Sequence, residues 1–134
     1  MDNSRLIKAA SLVRRKAFAP YSKFAVGAAL QAGSGKIYTG CNVENLSFGL
    51  TLCAERSAVS AAVSDGSQDF VAIAIVTDSK EPAVPCGACR QVLSEFNRNL
   101  RVICATVDGD TQEFDLANLL PLSDQGILGG RENV

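Results

Sequence analysis

The sequence contains no histidine. This absence excludes every Ser-His and Cys-His catalytic arrangement, because both use an imidazole as the proton acceptor. It also means that a site for a soft metal would have to be built from cysteine thiolates. The chain has five cysteines, an odd number, and residues 1–10 carry no apolar export signal. We therefore expect reduced thiols or metal ligands, and no disulfide framework.

The chain also lacks an excess of basic residues, with 13 Lys and Arg against 14 Asp and Glu. A balanced charge gives no general attraction to nucleic-acid phosphates, so we expect a small molecule as the partner and no nucleic acid. The longest apolar run, residues 70–76, is too short to cross a bilayer. We expect no membrane association and a cytoplasmic protein.

The hydrophobic pattern alternates between helical and strand periods along the chain. It predicts helices over 4–18, 53–66, 86–97 and 116–121, a β-hairpin over 24–45, and strands over 69–79, 100–107 and 111–116. This order indicates a single α/β domain, residues 1–134, with a mixed five-stranded sheet and crossover helices. The connection at 107–110 is too short for a crossover, so the last two strands should be antiparallel neighbours.

Three cysteines are predicted to lie at helix starts. Cys86 and Cys89 open one helix and Cys53 opens another. Free backbone N–H groups and the helix dipole favour the thiolate there. If the two helix starts adjoin in space, three thiolates meet, which is the ligand number of a catalytic zinc site with one position left for water.

Other interpretations of the cysteines remain open. A single cysteine is more often a small buried hydrophobic residue, and Cys86 with Cys89 could form a redox pair. Cys41 and Cys104 lie within predicted strands, where core packing is expected. Cys41 is the one candidate for a fourth ligand that would close the site.

Glu55 follows Cys53 by two residues. Alone, it could be an exposed acid in the first helical turn, favoured by the helix dipole. A metal ligand two residues before a glutamate, followed later by Pro-Cys-x-x-Cys, is however the signature of zinc deaminases. Zinc lowers the pKa of its bound water toward about 7, and Glu55 would take the released proton and hand it to the ring nitrogen and later to departing ammonia.

Five stretches resemble the cytidine deaminases of the short, three-cysteine, homotetrameric kind: "FAVGAAL", "GCNVEN", "CAERSA", "PCGACRQVL" and "NLLP". The likeness runs from about Phe24 to Pro121. It implies a three-layer α-β-α sandwich, Zn²⁺ bound by Cys53, Cys86 and Cys89, and Glu55 as the proton shuttle. Arg56 would donate hydrogen bonds to the ligand thiolates.

The implied reaction is hydrolytic deamination of cytidine or 2′-deoxycytidine in pyrimidine salvage. Asn42 and Glu44 are two apart at a strand end, so their side chains share a face and could converge on one pair of hydroxyl groups. Without the resemblance, such residues are usually turn residues. The family uses these two positions for the ribose, and the resemblance adds Phe24 and Ala54 as substrate contacts. Phe24 could equally be ordinary core.

Two positions depart from the family pattern. Asp124 stands where the family commonly has a phenylalanine that reaches a neighbouring subunit's pocket, and Phe48 replaces the usual tyrosine. Leu122, Ile127 or Leu128 could fill the gap by a small shift; otherwise the pocket mouth is more open. The alternatives are therefore a deaminase of another nucleoside, blasticidin-like or an N4-substituted cytidine, and a non-catalytic zinc or redox module.

Overall fold

A mixed five-stranded sheet lies at the centre of the protein, whose structure is a computed structural model describing residues 3–130. Its strands are β1 (Val26–Ala32), β2 (Ile37–Cys41), β3 (Phe70–Thr77), β4 (Arg101–Thr106) and β5 (Thr111–Asp115). The helices are α1 (Ser4–Arg14), α2 (Ala54–Ser64), α3 (Gly87–Ser94) and α4 (Leu116–Leu119), with a 3₁₀ turn at Phe48–Leu50. Two short strands, β6 (Gln125–Gly126) and β7 (Gly129–Gly130), pair near the carboxyl end of the described part.

The sheet order is β2-β1-β3-β4-β5. Strands β3 and β4 are parallel, and all other neighbours are antiparallel. The predicted antiparallel pairing of the last two strands is thus confirmed. Gly109, at φ 101°, lies in the short turn that joins them, a backbone conformation that glycine adopts readily.

The two faces of the sheet are covered by different helices, which confirms the predicted three-layer sandwich. Alternate residues of β3 point to opposite faces. Ile73 and Ile75 belong to the cluster beneath α2 and α3, whereas Ala72 and Ala74 pack with Leu6 of α1. A strand covered on both faces reads as a continuous apolar run, which explains the composition of β3.

Helix α2 lies unusually close to β2. A Cβ atom added to Gly40 would lie 2.4 Å from the backbone nitrogen of Ala58 and 2.6 Å from the backbone oxygen of Ala54. Because these are backbone atoms, they cannot move aside without displacing the helix. The missing side chain at residue 40 therefore sets the height of α2 above the sheet.

Some predicted elements were longer than the elements in the structure. Helix α1 ends at Arg14, before the predicted end at Phe18. The reason is that Phe18 is extended: its N–H donates to the Asn42 oxygen at 3.0 Å and its oxygen accepts from Glu44 N–H at 2.8 Å. Strand β2 likewise ends at Cys41, and the β6–β7 pair was not predicted. Gly66, at φ 89°, follows the end of α2 as expected.

Within residues 3–130, no helix is both long and apolar enough to cross a membrane. Residues 1–2 and 131–134 lie outside the described residues, and the assignment of 1–134 to a single domain stays a prediction.

We predict that Gly40→Ala destabilises the protein by about 1–3 kcal/mol, the usual cost of adding a methyl group where the packing leaves no room. Urea unfolding of the variant and the native protein measures the difference. Gly49→Ala is the matched control, because a Cβ there meets nothing within 4 Å. Equal stability of the two variants would contradict the close approach of α2.

Candidate metal centre and active site

Three cysteine sulfur atoms converge at one edge of the sheet. The Sγ atoms of Cys53, Cys86 and Cys89 lie within 4.8 Å of one another. Cys53 is the N-cap of α2, Cys86 is the N-cap of α3, and Cys89 lies in the first turn of α3. Both helices follow strands that run in the same direction, since β2 and β3 are each antiparallel to β1. The predicted meeting of the two helix starts is confirmed.

The sulfur atoms suit a zinc ion. Tetrahedral zinc with bonds of about 2.3 Å places its sulfur ligands ~3.8 Å apart, which this spacing accommodates. Burial raises the pKa of Cys89, and the charges of Glu55 and Cys53 raise it further. Burial also opposes ionisation of Cys86, but hydrogen bonds from the Cys89 N–H and from neighbouring thiols lower its pKa. Three thiolates at this spacing therefore need a cation to balance their charge.

The other two cysteines lie outside this cluster. Cys104 is fully buried in β4, as expected for core packing, and burial raises its pKa to about 12. Cys41 is half-buried at the end of β2, where its backbone oxygen accepts from Ser57 Oγ at 3.0 Å. Within residues 3–130 the sulfur cluster comprises three members, so Cys41 does not close it as a fourth ligand.

Glu55 is buried beside the sulfur atoms, with 5% of its surface exposed. The interpretation of Glu55 as an exposed first-turn acid was wrong. Burial raises its pKa, and its own backbone N–H, Cys89 and Arg56 only partly offset the effect. A carboxyl group in this position is placed to act as a general base and a general acid in turn.

Arg56 contacts the sulfur cluster but does not line the cleft. Its Nη2 donates to Cys53 Sγ at 3.2 Å and to the Thr51 oxygen at 3.5 Å. The hydrogen bond to Cys53 is the main cause of the raised pKa of Arg56. The guanidinium thus adds positive charge next to a thiolate, where the sequence predicted such a donor.

A cleft of about 300 Å³ opens over this centre. Its lining includes Cys53, Glu55 and Cys86, together with all four predicted substrate residues, Phe24, Asn42, Glu44 and Ala54. Phe24 is 40% exposed, so it is a wall of the cleft and not ordinary core. The structure therefore brings the predicted metal, proton-transfer and substrate residues into one place.

Asn42 is buried and uses both ends of its amide to hold the chain before β1. Its Oδ1 accepts from Val26 N–H at 2.9 Å, and its Nδ2 donates to the Phe24 oxygen at 2.8 Å. Together with the bond from the Asn42 backbone N–H to the Val26 oxygen at 3.3 Å, they extend the pairing with β1 past the end of β2. Asn42 thereby fixes the position of Phe24 in the cleft wall.

Glu44 is also buried, and it orders the loop that precedes Phe24. Its Oε1 accepts from the N–H groups of Tyr21 at 3.0 Å and Ser22 at 3.1 Å, and Ser22 Oγ donates to Oε2. The Ser22 hydroxyl is the main cause of the lowered pKa of Glu44, which keeps the carboxylate ionised. Glu44 therefore accepts hydrogen bonds from backbone N–H groups and from a hydroxyl group at the cleft.

Sequence reasoning missed several residues of the cleft: Ser22, Val26, Thr51, Ile75, Thr77, Ala83 and Val84. Most of them lie in loops or at strand ends, where no periodic pattern marks which side chain faces inward. The proline before Cys86 was the one local signal that a functional loop precedes α3.

The two departures from the family pattern occupy different places. Phe48 lines the cleft, where it is largely exposed. Asp124 does not line the cleft of its own chain: its Oδ2 forms an ion pair with Arg98 Nη1 at 3.1 Å, beside a second cavity of about 690 Å³. Leu122, Ile127 and Leu128 are all exposed.

Three clustered cysteine sulfur atoms beside a buried glutamate, at a cleft that two of the cysteines line, define a zinc-dependent hydrolytic enzyme of the deaminase class. The chain belongs to the cytidine and deoxycytidylate deaminase family, because the family model described as "Cytidine and deoxycytidylate deaminase zinc-binding region" matches residues 1–106. The predicted resemblance is confirmed.

Individual relatives agree with this assignment. The chain is 50% identical over 122 residues to a cytidine deaminase of Sporosarcina psychrophila, covering 90% of each protein. It is 49% identical to that of Halalkalibacterium halodurans, covering 90% of this chain and 92% of the relative. The crystal structure of cytidine deaminase from Burkholderia pseudomallei matches with a TM-score of 0.88 at 46% identity, over 91% of this chain and 98% of the other. The Mycobacterium tuberculosis enzyme matches with a TM-score of 0.80 at 41% identity, over 91% and 96%.

We predict that Cys86→Ser loses most of its bound zinc, whereas Cys41→Ser keeps about one zinc per chain, as three-cysteine ligation requires. Elemental analysis after dialysis, combined with thiol titration, measures both variants. Loss of zinc from Cys41→Ser would restore that residue as a ligand. A zinc-free native protein that cycles a Cys86–Cys89 disulfide would instead identify a redox module.

Proposed function

We propose that this chain is a zinc-dependent cytidine deaminase, which hydrolyses cytidine or 2′-deoxycytidine to the uridine product and ammonia. The observation that carries the proposal is the cluster of three cysteine sulfur atoms at a cleft that two of these cysteines and the buried Glu55 line. Cysteines 53, 86 and 89 would hold the zinc. An ultraviolet assay against a panel of free nucleosides tests the activity and ranks the substrates.

Zinc, when bound here, supplies an acidic water molecule and hence a nucleophile at neutral pH. Glu55 would take the proton released from that water, because its buried carboxyl group lies beside the sulfur atoms that would hold the metal. It would give that proton to the ring nitrogen. A second proton, from the oxygen newly bonded to the ring carbon, would then pass through Glu55 to the amine, which leaves as ammonia. Glu55 would thus accept two protons and donate two, and it would end the cycle in its starting state.

Arg56 balances charge in this scheme. Three thiolates outweigh the charge of one zinc ion and would make the metal less able to acidify water. The hydrogen bond from Arg56 to Cys53 withdraws negative charge from one ligand, which supports the role proposed for it.

The nucleoside would lie along the wall formed by Phe24, Asn42, Glu44 and Ala54. Phe24 offers an exposed ring face to the substrate. Glu44 already accepts a hydrogen bond from the hydroxyl of Ser22, and an ionised carboxylate has room for further hydroxyl donors. We propose Glu44 for the ribose on this basis. We propose Asn42 beside it because the family uses both positions for the ribose and because Asn42 lines the same cleft.

A free nucleoside, and not a nucleic acid, is the proposed substrate. Deaminases that act on tRNA or single-stranded nucleic acid resemble a variant with a helix between the last two strands and a histidine ligand. Here β4 and β5 are joined by the short turn at 107–110, and the sequence has no histidine. We further propose a cytoplasmic location and a role in pyrimidine salvage.

We also propose that the enzyme is a homotetramer. Large apolar side chains are exposed beside the cleft, where Phe18 and Leu52 each form a β-bridge with Val43, and Leu46 and Leu50 follow in the same loop. An exposed apolar patch of this kind favours association with another protein surface.

We predict that Glu55→Ala and Glu55→Gln each lower kcat by at least ~10²–10⁴-fold, the range for loss of acid–base catalysis. Both variants should keep zinc, because Glu55 is not one of the sulfur ligands. Activity, zinc content and thermal unfolding are measured on the same preparation. Near-normal turnover, or loss of zinc from the isosteric glutamine variant, would contradict the assignment.

We predict that light scattering at assay concentration gives the mass of four chains, since the apolar patch beside the cleft needs cover. A charged substitution within that patch, Leu50→Glu, should shift the protein toward smaller species. An active native monomer would refute the tetramer.

Asp124 leads to the last prediction. Residue 124 is an aspartate that pairs with Arg98, so it offers no aromatic ring to the mouth of a neighbouring cleft. We expect weakened cytidine turnover and better tolerance of N4-alkyl cytidines, and we expect Asp124→Phe to shift the ratio of kcat/KM toward cytidine by roughly tenfold, the value of one stacking contact. An unchanged ratio of the two kcat/KM values would show that the segment around residue 124 does not line the cleft of a neighbouring subunit.

A further inference from the structure

Arg90, on α3, joins two parts of the chain that are distant in sequence. Its Nε donates to the backbone oxygen of Pro85 at 2.7 Å, and its Nη1 donates to the backbone oxygen of Leu119 at 2.8 Å. Pro85 immediately precedes the ligand Cys86, whereas Leu119 is the last residue of α4. One side chain therefore bridges the metal-binding loop and a helix that carries no ligand.

The loop before Cys86 has little else to hold it. Within the described part of the chain, the bond to Pro85 is the only hydrogen bond that segment 82–85 makes. Pro85 is buried, so its carbonyl oxygen needs a partner that solvent does not supply. Cys86 itself is exposed, and its position depends on the chain on either side of it.

The other end of the bridge is firmly placed. Helix α4 is attached to the sheet by the bond from Leu116 N–H to the Leu100 oxygen at 2.9 Å, and Asp115 caps its first turn by accepting from Ala117 N–H at 3.0 Å. The Leu119 oxygen lies at the carboxyl end of α4, where backbone oxygens lack helical partners and a cation is favoured.

We propose that Arg90 is a positioning residue of the metal centre. It holds Pro85 against α4 and so keeps Cys86 Sγ beside the sulfur atoms of Cys53 and Cys89. It touches neither zinc nor substrate, and it acts through the backbone of the ligand loop. The inference rests on the proposed function, because it concerns the residues that would bind zinc there.

Zinc affinity is the measurement that tests this role. Arg90→Met keeps the length of the side chain but removes both donors, and we expect it to bind zinc ~10–100-fold more weakly, as is usual when a partner behind the ligands is lost. Competition with a chromogenic chelator gives the affinity. The cobalt(II)-substituted protein should show altered thiolate charge-transfer bands. Arg90→Lys, which has one donor nitrogen where arginine uses two, should fall between Arg90→Met and the native protein.

Gln91→Ala is the matched control. Gln91 is the next residue of α3, and its Nε2 donates to the Ser123 oxygen at 3.0 Å, so it ties α3 to the tail without touching the ligand loop. We expect its zinc affinity to equal that of the native protein. An equal loss in Gln91→Ala and Arg90→Met would show general loosening of α3 and overturn the inference.

Native zinc affinity in Arg90→Met would also overturn it. If Arg90→Met does not fold, Arg90→Lys is the deciding variant. Native zinc affinity together with a native cobalt spectrum in Arg90→Lys would refute positioning by the two hydrogen bonds of Arg90. A native protein that binds no zinc would overturn the proposed function and this inference together. Tight binding by both the native protein and Arg90→Met would overturn the inference alone.

Discussion

Mutual repulsion among three cysteine sulfurs within 4.8 Å of one another is the interaction that the rest of the structure has to balance. In the absence of compensation, burial and neighbouring negative charge oppose ionisation, as the raised pKa of Cys89 shows. The protein offsets this with two helix starts directed at the sulfurs and with the guanidinium of Arg56. A bound zinc ion would neutralise most of the negative charge of the three thiolates that the chain itself does not balance.

The sheet provides the geometry for this balance. Because β2 and β3 run in the same direction, the helices that follow them begin at one edge, although their cysteines are more than thirty residues apart. The bare backbone at Gly40 lets α2 lie against β2. Arg90 and α4 hold the second ligand loop from the other side. Gly40 on a strand and Arg90 on a helix thus both help to fix the positions of the cysteine sulfur atoms.

Local chemistry made much of the site predictable. Cysteines at helix starts, a glutamate two residues after one of them and a proline before the others are visible in the sequence, and so is the alternation of strands and helices. The contacts that the sequence did not predict are made between loops that are distant in the sequence. Phe18 leaves α1 to pair with residues 42–44, and the Ser22 hydroxyl turns toward Glu44. Neither contact is marked by a hydrophobic period or a motif spacing in the sequence, because each joins two irregular segments that only the folded sheet brings together.

The amide of Asn42 has a consequence for anyone who wishes to redesign the enzyme. Its oxygen and its nitrogen are both engaged by the backbone on either side of Ala25, so the same side chain shapes the cleft and finishes the sheet. A library that varies residue 42 would mostly report on folding, and altered selectivity would be hidden among misfolded clones. Phe48 and Val84 line the same cleft with exposed side chains. Neither side chain makes hydrogen bonds that finish the sheet, which makes those two positions better starting points for directed evolution than residue 42.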